Sequence, residues 1–544
     1  MKGIQALLLP AIFVLTACGG GSGGDGAAEQ PDFACARVMD PAELGITLGL
    51  TNNANIWLNP NGTTPLSARL QFCTPEPGTV TLTVLGKAPD ITDGNLNDDM
   101  CSVANPDGIA ISHQFSESAS EFDLPVLGLY PNHNNTVVVE FIADSGATAR
   151  DELMIMTAPL PINAGPPKFP LEIEIESNDL PADDAGVYMF SSQKAAFDQC
   201  GEVRWLYYGG GGLAGQFYEH LADGNWLASV NQDQISYHFR GFAEFTMLGQ
   251  QVDDYEYTLP FYGHHEIQKL PLSKGGNYLV GSNIGLIAIA PDGVTQEDTV
   301  VEISAVTGLV VKTWDFNTIL DPARMPIDAT NDNLEDWLHL NSAVYDASDD
   351  SIVITAQRQS LVAKIDYETG ALIWVIASPV GWAPEFQDKL LRPVDALGND
   401  VDVNANYFWP YGPHAALVFP GRPGVVAVFD NGLERGIYGD RMPTGAVDDQ
   451  DFSRGVEYQV DVNNMTVEIV WQFDWDQRVY NQITGDIDYL ANGNYLLGFV
   501  GRGPYTDNPR VIEVDADGNI LFNALANRGE NQYRVEKIDL YQGQ

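Results

Sequence analysis

Apolar and polar residues alternate in short runs between about residue 35 and residue 158, and no long helical period interrupts them. Thr79-Val80-Thr81-Leu82-Thr83-Val84-Leu85 and Thr136-Val137-Val138-Val139-Glu140-Phe141 are the plainest. A period of two sends every second side chain to the same face, so each run predicts a strand with one buried side. Clusters of Gly, Pro, Asn and Asp separate the runs as turns. Short strands punctuated in this way predict a small immunoglobulin-like β-sandwich over 35–158. Residues 159–170 then carry Pro159, Pro161, Pro166, Pro167 and Pro170. Proline has no N–H to give to a ladder, so this segment predicts a linker and a domain boundary.

Beyond the linker a unit repeats: an apolar strand, a polar turn with Gly, then a strand ending in Trp. Residues 196–205, 302–314 and 364–374 are clear copies, and looser ones centre on Gly249, on Met465 with Trp471, and on Gly518. Each copy predicts a hairpin whose turn needs a residue tolerant of positive φ. Gly276-Asn277-Tyr278-Leu279-Val280 and Gly493-Asn494-Tyr495-Leu496-Leu497 read as the starts of inner strands. Six copies spaced by roughly 50 to 60 residues, with one longer gap before Met465, predict a six-bladed β-propeller over 171–544. The gap holds an insertion, about 378–412, rich in Pro, Asp and Asn. Insertions of this kind usually map to one face, often the functional one. The fold class expected is all-β throughout.

Charge narrows the partners. Asp and Glu outnumber Lys and Arg by 74 to 27, for a net charge of −47. Such a surface repels nucleic acid and anionic lipid headgroups, so no nucleic-acid partner is expected. The N-terminus changes the picture again. Lys2 precedes an apolar run from Ile4 to Ala17, too short to span a bilayer comfortably, which predicts a signal peptide over 1–17. The run ends Leu15-Thr16-Ala17-Cys18, which resembles a bacterial lipobox and implies cleavage before Cys18 and acylation of its sulfur. Gly19 is not the Asp that would retain a lipoprotein at the inner membrane, so a periplasmic protein anchored to the outer membrane is expected. Residues 18–34 read as a flexible tether. The remaining cysteines are Cys35, Cys73, Cys101 and Cys200, which in an oxidising compartment allow three disulfide connectivities.

Candidate chemistry gathers on histidines. His113, His133, His220 and His238 sit in ordinary surroundings and read as structural. His264 and His265, His339, and His414 each stand where a propeller begins an inner strand of a different blade, so the fold would bring them to one channel. The stretch Asp336-Trp337-Leu338-His339-Leu340-Asn341-Ser342, a turn over 345–350, and the alternating run 351–360 predict a strand pair that aims His339, Asn341 and Arg358 at one point. A metal is disfavoured: no H-E-x-x-H pair or C-x-x-C pair occurs, and Arg358 would repel a cation. An anion fits better, because Arg presents a planar fork to sulfate or phosphate oxygens and neutral His can attack and carry the group. The Gly209–Gly212 run lacks the Lys-Ser/Thr of a phosphate loop and reads as a turn.

In the order of these motifs the chain resembles the bacterial arylsulfate sulfotransferases. The resemblance runs through Leu58-Asn59-Pro60-Asn61-Gly62, Gly128-Leu129-Tyr130-Pro131, His265-Glu266, Trp337 to Ser342, Asp349 to Ile352, Arg358-Gln359-Ser360, Trp409 to His414, Val428 to Gly432 and Ser453 to Trp471. It implies a propeller with an N-terminal β-sandwich, a periplasmic setting, and sulfuryl transfer from a phenolic sulfate ester to a phenolic acceptor, with no nucleotide donor and no cofactor. It implies His414 as nucleophile, His265 as general acid/base, and His339, Asn341 and Arg358 around the sulfuryl oxygens, with Thr484 at the pocket. A homodimer through the N-terminal domain is one arrangement open to such a chain. One departure stands out: relatives from enterobacteria carry two cysteines shortly before the nucleophile, and residues 400–409 have none. Two other readings share the fold: a non-enzymatic propeller lipoprotein, and the same site acting on an alkyl sulfate or a phosphoester.

Overall fold

The computed structural model describes residues 54–544 apart from 90–100, 102–104, 161–170, 182–183, 185, 209–214, 233–237, 257–260, 285–297, 327–335, 404–407, 434, 436–450, 502–507 and 527–531. The predicted signal peptide, Cys18, the tether, most of the linker and the Gly209–Gly212 run lie outside the described residues.

The N-terminal domain consists of β1 (Asn55–Leu58), β2 (Ala68–Val84), β3 (Ile111–Val126), β4 (Asn134–Ala143) and β5 (Thr148–Met156). They pair in the order β1-β2-β4-β5, with β3 along the other side of β2. β2 serves two halves: Ala68–Gln71 pairs with β1, and Gly78–Val84 pairs with β4. Its register against β3 shifts between Cys73 and Gly78, where Pro75 and Pro77 fall. Among the described residues the strands of the expected sandwich pair as one five-stranded sheet with a shared core: Phe122 stacks on Phe72 at 4.9 Å and meets Phe141 at 6.1 Å.

After the linker the described strands group into six four-stranded antiparallel sheets, two of them joined into one of eight strands and two extended by a fifth strand, Arg392–Pro393 beside Thr466–Phe473 and Ile173–Asn178 beside Ile520–Ala526. They span 187–206 completed by the C-terminal strand Val535–Ile538, then 217–256, 261–315, 340–376, 414–473 and 486–526. The second and third are joined through the single pairing of Phe239 with Gly263. Their innermost strands lie side by side around a ring, from Phe217–His220 through Phe261–Lys269, Leu340–Asp346 and His414–Val418 to Asp486–Tyr489. This is a β-propeller. Sheets stacked face to face bury both sides of their middle strands, so Thr299–Ile303, Ser351–Ala356 and Val425–Asp430 are buried at every position. The run 351–360, expected to alternate, is thus continuous core as far as Ala356.

The repeated unit is the outer hairpin of each sheet. Its turn residue has φ of 81° at Gly201, 79° at Gly249, 66° at Gly308, 70° at Gly370, 50° at Met465 and 82° at Gly518. Five of these six positions are filled by the residue that tolerates positive φ, which is why the copies were legible. Two readings are corrected. Tyr278–Ile284 and Tyr495–Phe499 are second strands, not innermost ones. The insertion after Ile376 first returns to the outer strand of the fourth sheet, where Leu390 bridges Val375, and then lies along the outside of the fifth, where Arg392–Pro393 pairs parallel to Thr466 and Val467. Only its last residues return to the channel and deliver His414.

The two domains are bolted together. A disulfide joins Cys101 to Cys200, and Cys73 is also disulfide-bonded. Thr64 Oγ1 donates to the Leu248 carbonyl at 3.0 Å, and the Leu127 amide donates to Tyr541 Oη at 2.9 Å. At the centre lies Arg204, with 0% of its surface exposed. It donates to the carbonyls of Gly128 and Ile109, pairs with Asp198 at 2.8 Å, and lies 3.7 Å over the Tyr130 ring. Breaking a buried pair from one side leaves the other charge uncompensated, so Arg204→Leu is expected to cost about 3–5 kcal/mol of stability. Denaturant unfolding measures it, and a loss below about 1 kcal/mol would show that Arg204 does not hold the interface.

Candidate active site

Four inner strands bring side chains to one end of the channel. His265 lies on Phe261–Lys269, His339 directly precedes Leu340–Asp346, and His414 opens His414–Val418. Thr484 directly precedes Gly485 and Asp486–Tyr489. Each ladder of the first three shifts register at this level, between Gly263 and Ile267, Leu340 and Ser342, and His414 and Leu417. Bulges of this kind turn a strand and re-aim a side chain. The backbone records the turn: φ is 54° at His265, 52° at His339, 48° at Ala415 and 59° at Thr484. Non-glycine residues in this region each cost about 1–3 kcal/mol and cluster at functional sites.

His414 is buried at 4% exposure. Its Nδ1 lies 2.7 Å from Asn431 Oδ1 and 3.3 Å from the Gly412 carbonyl, both acceptors, so Nδ1 carries the hydrogen. Its Nε2 accepts from the Thr484 amide at 3.3 Å. Burial pulls the imidazole pKa down to about 3, so the ring is neutral with its lone pair at Nε2. His339 Nδ1 donates to Asp336 at 2.8 Å, and Arg358 Nε lies 3.3 Å from the same carboxylate. One aspartate thus orients both the histidine and the cation. His265 approaches His339 with ring centroids 5.1 Å apart, and its Nδ1 lies 3.0 Å from His264 Nδ1. Asn341 donates from Nδ2 to the Pro413 carbonyl at 3.1 Å, tying the fourth sheet to the residue before His414.

Two side-chain atoms at this site, Asn341 Oδ1 and Thr484 Oγ1, are buried without a hydrogen-bond partner among the described residues. Buried polar atoms are nearly always paired, so such exceptions mark a place built for something else. All six predicted residues of the propeller, His265, His339, Asn341, Arg358, His414 and Thr484, therefore meet at one end of the channel. Sequence reasoning missed Asp336, three residues before His339, and Asn431. It missed Tyr533, whose hydroxyl donates to the Asn341 carbonyl at 2.8 Å, and Arg534, paired with Glu266 at 2.6 Å. His238 is also nearer than expected, at 5.7 Å from His264, and is bonded to Asn283. His220, by contrast, stacks on Trp226 and serves packing. Among the described residues no group of three or more His, Cys, Asp or Glu is arranged to hold a metal ion.

Comparison with known proteins bears on this geometry. The family model described as arylsulfotransferase (ASST) matches residues 142–534. The chain belongs to the arylsulfotransferase family. The model of the family's immunoglobulin-like domain matches residues 99–159, a range that includes Ile111–Val126, Asn134–Ala143 and Thr148–Met156. Arylsulfate sulfotransferase AssT of Escherichia coli O6:H1 is 30% identical over 47% of this chain and 48% of its own length. The enzyme of the same name from Lelliottia amnigena is 25% identical over 86% of this chain and 87% of its own. The β-propeller domain of Cps50 (Swd1) from Myceliophteria thermophila is similar at 9% identity and a TM-score of 0.31, over 61% of this chain and 95% of that one. The expected family and the all-β fold class are borne out.

The depressed pKa of His414 links the site to stability. Unfolded, an imidazole takes a proton near its usual value of about 6.5, whereas the buried ring resists it down to about 3. The unfolded state then binds more protons, so this contribution is intact above about pH 6.5 and is lost progressively as pH falls toward 3. Stability of the wild type relative to His414→Gln, from urea unfolding, is expected to be flat above neutrality and to fall with acid. A difference independent of pH would show that His414 titrates normally.

Proposed function

We propose that this protein moves a sulfuryl group from a phenolic sulfate ester to a phenolic acceptor by way of a sulfohistidine at His414, with no nucleotide donor. The observation that carries this reading is the neutral, buried His414 with its lone pair at Nε2 beside the Asp336-held pair of His339 and Arg358.

Sulfuryl transfer is expected to resemble phosphoryl transfer, with a loose in-line transition state and charge on the peripheral oxygens. Catalysis then rests on positioning and on donors around those oxygens. His414 attacks sulfur through Nε2. Arg358, His339, and the amide and hydroxyl of Thr484 receive the oxygens. The unpaired atom of Asn341 is an acceptor, so Asn341 serves the sulfuryl group only through its second Nδ2 hydrogen. His265 protonates the departing phenolate and later takes the proton of the acceptor phenol. The lipobox-like Leu15-Thr16-Ala17-Cys18 supports a lipid anchor on Cys18 and a periplasmic site of action at the outer membrane.

A donor such as 4-nitrophenyl sulfate, given without acceptor, is expected to leave a sulfuryl group on His414, lost on adding phenol and seen by intact-protein mass spectrometry. His414→Ala abolishes both adduct and turnover. Arg358→Lys keeps the charge, loses the fork, and lowers turnover by about 10- to 100-fold. An adduct on another histidine would refute the assignment, and release of phosphate from an aryl phosphate at comparable rate would refute the sulfuryl preference. For the anchor, a palmitate analogue should label the wild type and spare Cys18→Ser, and equal labelling would remove the anchor from the account.

A further inference from the structure

None of the roles above uses Asn431, although it makes the shortest hydrogen bond to His414. We infer that Asn431 is a positioning residue that fixes the tautomer of His414 and, because it cannot take a proton, keeps the sulfuryl adduct on a cationic ring from which it leaves readily. The inference rests on the reading of His414 as nucleophile.

The orientation of the Asn431 amide is decided by its other end. Nδ2 donates to the Asn481 carbonyl at 2.9 Å and to the Thr484 carbonyl at 2.6 Å, so both of its hydrogens are spent. Turning the amide over would set Oδ1 against two carbonyl oxygens. Oδ1 therefore faces His414 as an acceptor, and the imidazole has to present N–H there. The amide is itself rigidly held, with 0% of Asn431 exposed. Ser453 Oγ donates to the Asn431 carbonyl at 2.7 Å and accepts from the Asn481 amide at 2.8 Å. The preceding Asp430 is clamped by Arg435 at 3.0 Å and Arg454 at 2.9 Å. The same amide that fixes His414 also fixes the backbone turn that brings the Thr484 amide to Nε2.

The choice of an amide over a carboxylate has a chemical consequence. In the first step the Nε2 lone pair forms the N–S bond while the S–O bond to the aryl group breaks. The electron pair leaves on the phenolate oxygen, which takes a proton from His265. The His414 ring now bears sulfur at Nε2 and hydrogen at Nδ1, so it is positively charged. Asn431 has no basic site to relieve that charge. The Asn431 and Gly412 hydrogen bonds to Nδ1–H hold that proton in place, while the nearby charges of His339 and Arg534 disfavour the cation. A cationic imidazole is a better leaving group than a neutral one. In the second step the acceptor oxygen attacks sulfur, its proton passes to His265, and the N–S pair returns to Nε2. His414 ends as it began, with Nδ1–H and the Nε2 lone pair restored. A carboxylate at position 431 would favour the imidazolium, protonate His414 before substrate arrives, and stabilise the adduct.

The test uses the full chain with 4-nitrophenyl sulfate and phenol. Asn431→Leu releases the tautomer and is expected to slow adduct formation by at least about 100-fold while KM changes less than about threefold. Asn431→Asp is expected to introduce an acid limb near neutral pH that the wild type lacks, and to lengthen the lifetime of the adduct after phenol is added by about tenfold or more. Wild-type rates and pH profile in both variants, with the adduct still forming on wild-type His414, would overturn this inference alone. No adduct on the wild type would overturn the nucleophile reading and this inference with it. A measurement on the wild type needs no variant of Asn431 to fold: nitrogen NMR of labelled histidines, with His414→Gln for assignment, should show Nδ1–H and no titration between about pH 5 and about pH 9. An Nε2–H tautomer, or titration near the usual value, would overturn the inference.

Discussion

Strand Val535–Ile538, almost the last element of the chain, pairs with Val187–Phe190, almost the first of the propeller, and so holds the ring of sheets shut. The loop closed by this pairing exceeds three hundred residues. Its entropic cost grows only with the logarithm of length, so a short ladder buried between neighbouring sheets suffices to hold it. The closure does more than complete a sheet. The two residues ahead of the strand enter the channel with it: Tyr533 bonds to the backbone of Asn341, and Arg534 pairs with Glu266 next to His265. The final strand thereby sets the third and fourth sheets relative to each other at the level where His265 and His339 approach. A propeller that failed to close would lose the site along with the fold.

Within that ring the site is held in an expensive state. His265, His339 and Thr484 occupy a left-handed backbone region, His414 is buried where desolvation disfavours its protonated form, and Asn341 Oδ1 and Thr484 Oγ1 have no partner among the described residues. Each is unfavourable by itself. They persist because the surroundings over-determine them. Middle strands buried on both faces back the innermost ones, Asp336 holds His339 and Arg358, and Asn431 and Ser453 tie His414 to the backbone of Asn481 and Thr484. What results is a set of side chains whose positions are fixed in advance, with little left to reorganise.

The all-β class and the outer hairpins were legible in the sequence. They rest on local rules: a period of two, and glycine where φ is positive. The strength of those signals tracks their locality. Met465 fills one turn without being glycine, and the copy around it was correspondingly loose. Tyr278 and Tyr495 were misplaced by one strand, because strand rank within a sheet is set by pairing partners far away and leaves no local mark. His265, His339 and His414 stood out because residue type restricts chemistry and the repeat restricted their place. Asp336 and Asn431 did not, because an aspartate or asparagine near a turn is common and nothing local distinguishes one that reaches a histidine.

By itself, then, the sequence determined the all-β class, the outer hairpins, and which side chains are of a type chemically able to hold an anion or act as a nucleophile. These are properties of single residues and of near neighbours. Only the tertiary structure decided what state those side chains are in. That Nδ1 of His414 bears the hydrogen follows from an amide 17 residues away, itself turned by carbonyls 50 and 53 residues further on. That the ring is neutral follows from its burial between sheets. Hydrogen-bond direction and desolvation are set by what surrounds an atom in space, and the order of residues along the chain does not contain them.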